Sequence, residues 1–314
     1  MSAFSSPIPG IDGNLGAILI GGVLGTFLFG IATLQTYNYY NLYPTDSTVI
    51  KVLVSSIWLI ELGHTIGFWH AFYQLSVTYG QLAHILPIVE APHSLVLTIL
   101  FAGLINLLVQ TFFAYRIRTL SGKWLMPIIC CILTTARFAF DIIMFVFFWT
   151  SAAATTAGTP PLQKKAYRAW NMISVLSLGL AADVFIAASM CFYLWKIRST
   201  MSHFQQTRNT VDTLIVWCVE TTTLTSATSV LQLIFFLARP DLVWMTFFLI
   251  QPKLITNSIL AHLNGRERFR QSRTAYRSDT SHSGRIIADD SLAFRAGAST
   301  EIRRDTDSYP RGKL

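Results

Sequence analysis

Apolar residues run in seven long blocks, near 14–36, 50–73, 93–116, 124–149, 170–196, 211–238 and 241–263. Short stretches rich in charge, proline or amides separate them. A helix needs about 20 apolar residues to cross about 30 Å of hydrocarbon, and each block approaches or exceeds that length. Only Ala238-Arg239-Pro240-Asp241 divides the last two. A proline between two charges predicts a turn there, because a single span of the combined length would far exceed the bilayer. The pattern predicts an all-α membrane protein, a seven-transmembrane helix bundle, with a short N-terminal segment over 1–13, the helices within 14–263 and a polar tail over 264–314.

Composition strengthens this picture. Apolar and aromatic residues make up 52% of the 314 residues and charged residues only 13%, where a soluble domain carries about a quarter. A surface that faces lipid must itself be apolar. The four cysteines lie within apolar runs and are expected to be buried small residues, with no extramembrane pair for a disulfide. The first apolar run follows no basic segment and is expected to stay as a helix instead of being cleaved.

The net charge of +8 sits where it orients the chain. Arg116, Arg118 and Lys123 follow the third block, Lys196, Arg198 and Arg208 the fifth, and Arg266, Arg268, Arg270, Arg273 and Arg277 the seventh. Positive loops stay on the cytoplasmic side, so the N-terminus is expected outside and the C-terminus in the cytoplasm. Lys164, Lys165 and Arg168 argue the other way and are outnumbered. Charge that flanks spans points to anionic inner-leaflet lipids and not to nucleic acid. The segment from Arg266 to Arg277 has the makings of a short basic amphipathic helix; beyond it the Ser-, Thr-, Arg- and Asp-rich tail has little to bury and predicts disorder.

Gly21-x-x-x-Gly25 and Gly63-x-x-x-Gly67 have the spacing that lets helix backbones approach closely in lipid, either within the bundle or between two copies. Tyr37, Tyr39, Tyr40, Tyr43, Trp69, Tyr73 and Tyr79 suit the aromatic belts at span ends.

Ionisable and amide side chains inside spans are costly and mark functional candidates. Glu61, His64, Asn106, Arg137, Asp183, Glu220 and Lys253 are the candidates for a ligand or ion site at mid-membrane; the alternative is a structural ion-pair network. Lys253 needs an acid, which Glu61, Asp183 or Glu220 can supply. Arg137 and Asp141 are four apart, close enough to neutralise each other on one helix. Pro252 interrupts the backbone ladder beside Lys253.

Three sharper readings fail. A retinal-type lysine in the seventh helix needs a carboxylate on the third, which offers only Asn106 and Gln110. A zinc site from Glu61, His64, His70 and His262 would have to join groups separated by roughly 15–20 Å along the membrane normal. A G-protein-coupled receptor rests on span count alone: Ala114-Tyr115-Arg116 has no acid before Tyr-Arg, and the seventh block has no Asn-Pro-x-x-Tyr. No Walker loop, nucleophile elbow, EF-hand or paired-cysteine motif occurs. The chain is therefore read as a non-enzyme with no cofactor and no metal.

Gln110-Thr111-Phe112-Phe113-Ala114-Tyr115-Arg116, Ala182-Asp183-Val184, Leu224-Thr225-Ser226 and above all Lys253-Leu254-Ile255-Thr256-Asn257-Ser258-Ile259-Leu260-Ala261-His262-Leu263-Asn264-Gly265-Arg266 resemble a family. It is the seven-span membrane proteins of mushroom-forming fungi that carry a domain of unknown function. The resemblance runs from the first span to about Arg266. This chain departs from it at Glu61-Leu62-Gly63-His64, where the family often has Asp-Thr-Leu-His, and at Ile255, where it has Tyr. The resemblance implies the seven-span fold and brings no established activity, substrate or cofactor. Gln110, Arg116, Asn257, Ser258, Asn264 and Arg266 form its inner-end motif, with Asn257, Asn264 and Arg266 expected to fasten the seventh helix to its neighbours. The expected function is receptor-like or sensory, with an ion- or proton-coupled transporter or channel as the alternative. The expected partners are the bilayer and either a small ligand or a cytoplasmic protein, and the plasma membrane is the expected location.

Overall fold

The computed structural model describes residues 11–78, 92–153, 161–200, 223–239 and 241–265. These form α1 (Ile11–Leu42), α2 (Thr48–Tyr73), α3 (His93–Ser121), α4 (Leu125–Ala153), α5 (Pro161–Thr200), α6 (Thr223–Ala238) and α7 (Val243–Asn264). A π-helical turn, Gln74–Thr78, prolongs α2. No strand occurs among the described residues. Five helices, α1 to α5, are long and apolar enough to cross a membrane.

One helix shows why this sequence packs as it does. On α2 the buried positions are Val54, Ile57, Glu61, His64, Phe68 and Ala71, spaced three and four apart on a single stripe. Val52, Leu59, Ile66 and Tyr73, each seven apart, lie exposed on the opposite face. On α1 the same holds for Ile20, Phe27 and Leu34. Large apolar side chains exposed in continuous stripes are what lipid requires and water would punish. Here the polar side chains turn inward.

The helices follow one another around the bundle. α1 packs on α2 and α7, α2 on α3, α4 on α3 and α5, and α3 also touches α5 and α7. α6 joins through Phe235 stacked on Phe247 and Phe236 edge-on to Trp244, both on α7, while Leu233 and Phe236 close over Met172 and Leu176 of α5.

Both small-residue spacings are used within the chain. A Cβ at Gly21 would lie 2.8 Å from Thr246 Cα of α7, and one at Gly25 3.4 Å from the Leu249 carbonyl. Gly63 and Gly67 face Phe101 and the Ser94 carbonyl of α3.

α1 and α7 run parallel and in register. Thr246 Oγ1 donates to the Ala17 carbonyl (2.7 Å), Asn257 Nδ2 to that of Leu28 (2.9 Å) and Asn264 Nδ2 to that of Gln35 (2.8 Å). The sequence separation is 229 each time, so one face of α7 reads down one face of α1. α2 runs antiparallel to α3, since Gly63 meets Phe101 while Gly67 meets Ser94. α4 and α5 are antiparallel as well, with Gly179 on Arg137 and Met172 near Met144. The C-terminal ends of α1, α3, α5 and α7 consequently share one end of the bundle. That end carries Arg116, Arg118, Lys123, Lys196 and Arg198.

Several expectations need correcting. α5 begins at Pro161, nine residues before its apolar block. Proline suits the first helical turn, and Gln163, Lys164, Lys165 and Ala166 are good helix formers that a hydropathy reading takes for loop. Tyr39 and Tyr43 are buried and not belt residues: the Tyr39 hydroxyl donates to Asp46 at 3.0 Å and that of Tyr43 to the Asn264 carbonyl at 3.0 Å. Cys131 is exposed, whereas Cys130 is buried. The α3–α4 connection is short because Gly122 takes a left-handed conformation (φ 67°) and its N–H closes on the Arg118 carbonyl. Arg118 then lies over Trp124 at 4.3 Å. Residues 211–222 of the sixth block, Tyr79, Cys218 and the tail beyond 265 lie outside the described residues.

Candidate functional site

Lys253 sits near the midpoint of α7, and its side chain is 3% exposed. It reaches α2, where Glu61, with a fully buried side chain, forms the ion pair through Oε2. The three ammonium protons find three acceptors: that carboxylate, the Glu61 carbonyl at 3.2 Å and Thr65 Oγ1 at 2.8 Å. Thr256 Oγ1 donates to the second carboxylate oxygen at 2.8 Å, and Thr65 returns its own proton to the Glu61 carbonyl at 2.8 Å. The ring of Phe29 from α1 lies 5.3 Å from the ammonium. A buried pair repays its desolvation only when both ions are fully hydrogen-bonded, and this one is.

Helix periodicity builds the cluster. Thr65 is one turn beyond Glu61, and Thr256 is three residues beyond Lys253, so each ion brings its own hydroxyl on the same face. Pro252 supplies no N–H to the preceding turn; it is buried, and α7 continues through it. Of the three acids considered for Lys253, Glu61 is its partner. His64, one turn from Glu61, is buried with neither ring nitrogen hydrogen-bonded, its ring 6.5 Å from that of Phe248. It is the polar group left over beside the ion pair.

A second polar group lies between α3, α4 and α5. Gln110 Nε2 donates to Asp183 Oδ1 at 2.9 Å. Arg137 lies one turn from Asp141 on α4 and against Gly179, one turn before Asp183 on α5. Among the described residues it closes no ion pair with either, and its Nε and Nη1 have no partner. The one-turn pairing of Arg137 with Asp141 is therefore proximity without contact. Glycines make the room: a Cβ at Gly179 would come within 2.6 Å of Arg137 Nη1, and one at Gly103 within 3.1 Å of the Asp141 carboxylate. Asn106 is buried with its carbonyl oxygen unpartnered.

The inner-end residues divide by role. Asn257 and Asn264 fasten α7 to α1 as described above, while Ser258 bonds within its own helix, to the Leu254 carbonyl at 2.7 Å. Gln110 belongs to mid-bundle through Asp183. Arg116 is half-buried on α3. Glu220 and Arg266 lie outside the described residues. Sequence reasoning missed Thr65, Thr256, Gly103, Gly179 and the bond from Gln251 to Ser229 (2.8 Å) that ties α7 to α6. The signal was available only for the threonines, as neighbours of an ion one turn away.

No group of three His, Cys, Asp or Glu side chains converges as a metal site among the described residues. Fold and site together define a membrane-embedded helical protein with a buried ion pair at Lys253 that is fully hydrogen-bonded. Residues 179–268 match a family of unknown function, DUF6534. The match spans the later part of α5, α6 and α7, and so includes Asp183 and Lys253 but not Glu61, His64 or Arg137. No curated protein and no solved structure matches the chain.

Proposed function

We propose that the protein is a seven-span receptor-like membrane protein, N-terminus outside and C-terminus cytoplasmic, in which a small ligand biases the Glu61–Lys253 junction between α2 and α7. The observation that carries this reading is the junction itself. A saturated ion pair at mid-membrane is a discrete, breakable link between two helices, and two-state packing of this kind is what a sensory bundle needs. His64 beside it keeps an unused donor and acceptor next to the junction.

The span count draws support from the parallel α1 and α7, which put the start of α1 and the end of α7 at opposite ends of the bundle, as an odd number of crossings does. The basic residues gathered at one end support the orientation. On this reading the tail over 264–314 meets anionic inner-leaflet lipid or a cytoplasmic partner, and the plasma membrane is the compartment. Ion- or proton-coupled transport remains the second reading, favoured by the buried Arg137 and Asp141 and the half-buried Asp183.

The test is a thermal-shift screen of the solubilised full chain against small molecules, lipids and ions, repeated on Lys253→Ala and His64→Phe. A ligand that binds only the folded state raises apparent stability by mass action. A hit lost in both variants supports the receptor reading. A hit insensitive to both refutes the location. Substrate-dependent ion flux in proteoliposomes, abolished by Asp183→Asn, would replace it with transport.

A further inference from the structure

The bundle holds a small cavity of about 50 Å³ between α3, α5, α6 and α7. Gln110, Asp183, Thr225 and Ser258 line it among apolar side chains that include Phe113 and Ile255. We propose that this cavity is a binding site for a small monovalent cation, sodium being the best match, with Asp183 Oδ2 as its charged ligand and Gln110 Oε1 and Ser258 Oγ as neutral oxygen ligands. The proposal does not depend on whether the bundle senses or transports.

The first argument is charge. Glu61 and Lys253 neutralise each other. Among the described residues Arg137 and Asp141 are also buried, and Asp183 has one carboxylate oxygen shut off from solvent, one positive charge against two negative. One carboxylate is left over in a medium where an uncompensated ion is strongly disfavoured.

The second argument is the hydrogen-bond inventory. Gln110 is 3% exposed. Its amide orientation is fixed, because the Nε2 end must face the acceptor-only carboxylate of Asp183. Its Oε1 is thereby left without a partner, as is Asp183 Oδ2, and both atoms are sealed from solvent. Ser258 spends its one proton on the Leu254 carbonyl, which leaves lone pairs on Oγ. Gln110, Asp183 and Ser258 line one cavity, and each holds an oxygen with acceptor capacity and no donor to fill it, which describes a cation site.

The third argument is selectivity. A single carboxylate matches a single positive charge, whereas calcium sites use six to eight oxygens and usually several carboxylates. Zinc and copper favour imidazole or thiolate ligands, and among the described residues the cavity wall has neither. The volume holds one small ion with a water or two.

The full chain, purified in detergent, is unfolded thermally in NaCl, KCl and choline chloride at equal ionic strength. Sodium is expected to raise Tm with the logarithm of its concentration above Kd, on the order of 5 °C at concentrations well above Kd, with potassium weaker and choline inert. Asp183→Asn is expected to abolish the sodium shift while its Tm in choline equals or exceeds that of the parent, because the unpaired charge is gone. Ser258→Ala is expected to weaken the sodium response several-fold with little change in choline, which keeps the proposal testable if Asp183→Asn fails to fold. Lys253→Ala should keep the sodium shift. Equal stability in sodium and choline, a sodium shift that survives Asp183→Asn, or stability that follows pH and ignores sodium would each overturn the proposal, the last by making a proton the neutralising species.

Discussion

Replacing Lys253 with methionine removes one charge from α7 and keeps the length of the side chain. Glu61 then loses the partner of Oε2 and retains Thr256 on Oε1. Its side chain is fully buried, so water cannot take over the missing bond. Breaking a buried pair from one side costs about 3–5 kcal/mol, most of it the penalty for the ion left behind. In a bundle of this size that lowers Tm on the order of 10 °C. Removing both charges, as Lys253→Met with Glu61→Gln, discards the penalty along with the attraction and is expected to recover all but about 1–2 kcal/mol. The two substitutions should therefore be strongly non-additive, the double variant losing far less than the sum of the two single losses. The assay is thermal unfolding of the four proteins of the cycle in one detergent, followed by tryptophan fluorescence. Additive losses, or a Lys253→Met variant within about 1 kcal/mol of the parent, would refute the claim that this junction holds α2 to α7.

Other substitutions test the packing directly. Gly21→Val should destabilise by more than about 2 kcal/mol, since its Cβ meets the backbone of Thr246. Gly30→Ala, with nothing within 4 Å of the new atom, should be neutral or stabilising by about 0.5–1 kcal/mol, as a melting comparison would register. A membrane-permeant maleimide should label Cys131 and spare Cys130 in the folded protein; mass spectrometry of the α4 peptide from Cys130→Ser and Cys131→Ser decides between them, and equal labelling would mean that α4 is rotated.

Much of the fold was legible because lipid imposes a blunt rule: apolar runs of sufficient length become helices. The same rule hid what lies past the hydrocarbon. The first turns of α5 are polar and helical, so hydropathy stopped at residue 170. Tyr39 and Tyr43 looked like interface residues because the type of a side chain does not say which way it faces, whereas the hydroxyls of both are satisfied inside the protein. The site was partly readable. Lys253 needed an acid, and three were in view; choosing Glu61 required helix adjacency, which periodicity along one chain does not contain. Gln110 was assigned to the inner end on the strength of its motif, yet its amide answers to Asp183. Gly103 and Gly179 matter only because a charged side chain lies against each, a fact that appears once two helices are placed side by side.

The 229-residue register between α1 and α7 has a consequence for biogenesis. Chains are made from the N-terminus, so Glu61 enters the bilayer long before Lys253 exists. Until α7 emerges, an acid with no counterion stands in an unfinished assembly, and the carbonyls of Ala17, Leu28 and Gln35 lack the side chains that will cap them. Closure thus waits for α7, whose Lys253, Asn257 and Asn264 make these bonds. A chain interrupted before Val243 would display an unpaired acid within the membrane, a defect that cellular quality control can detect.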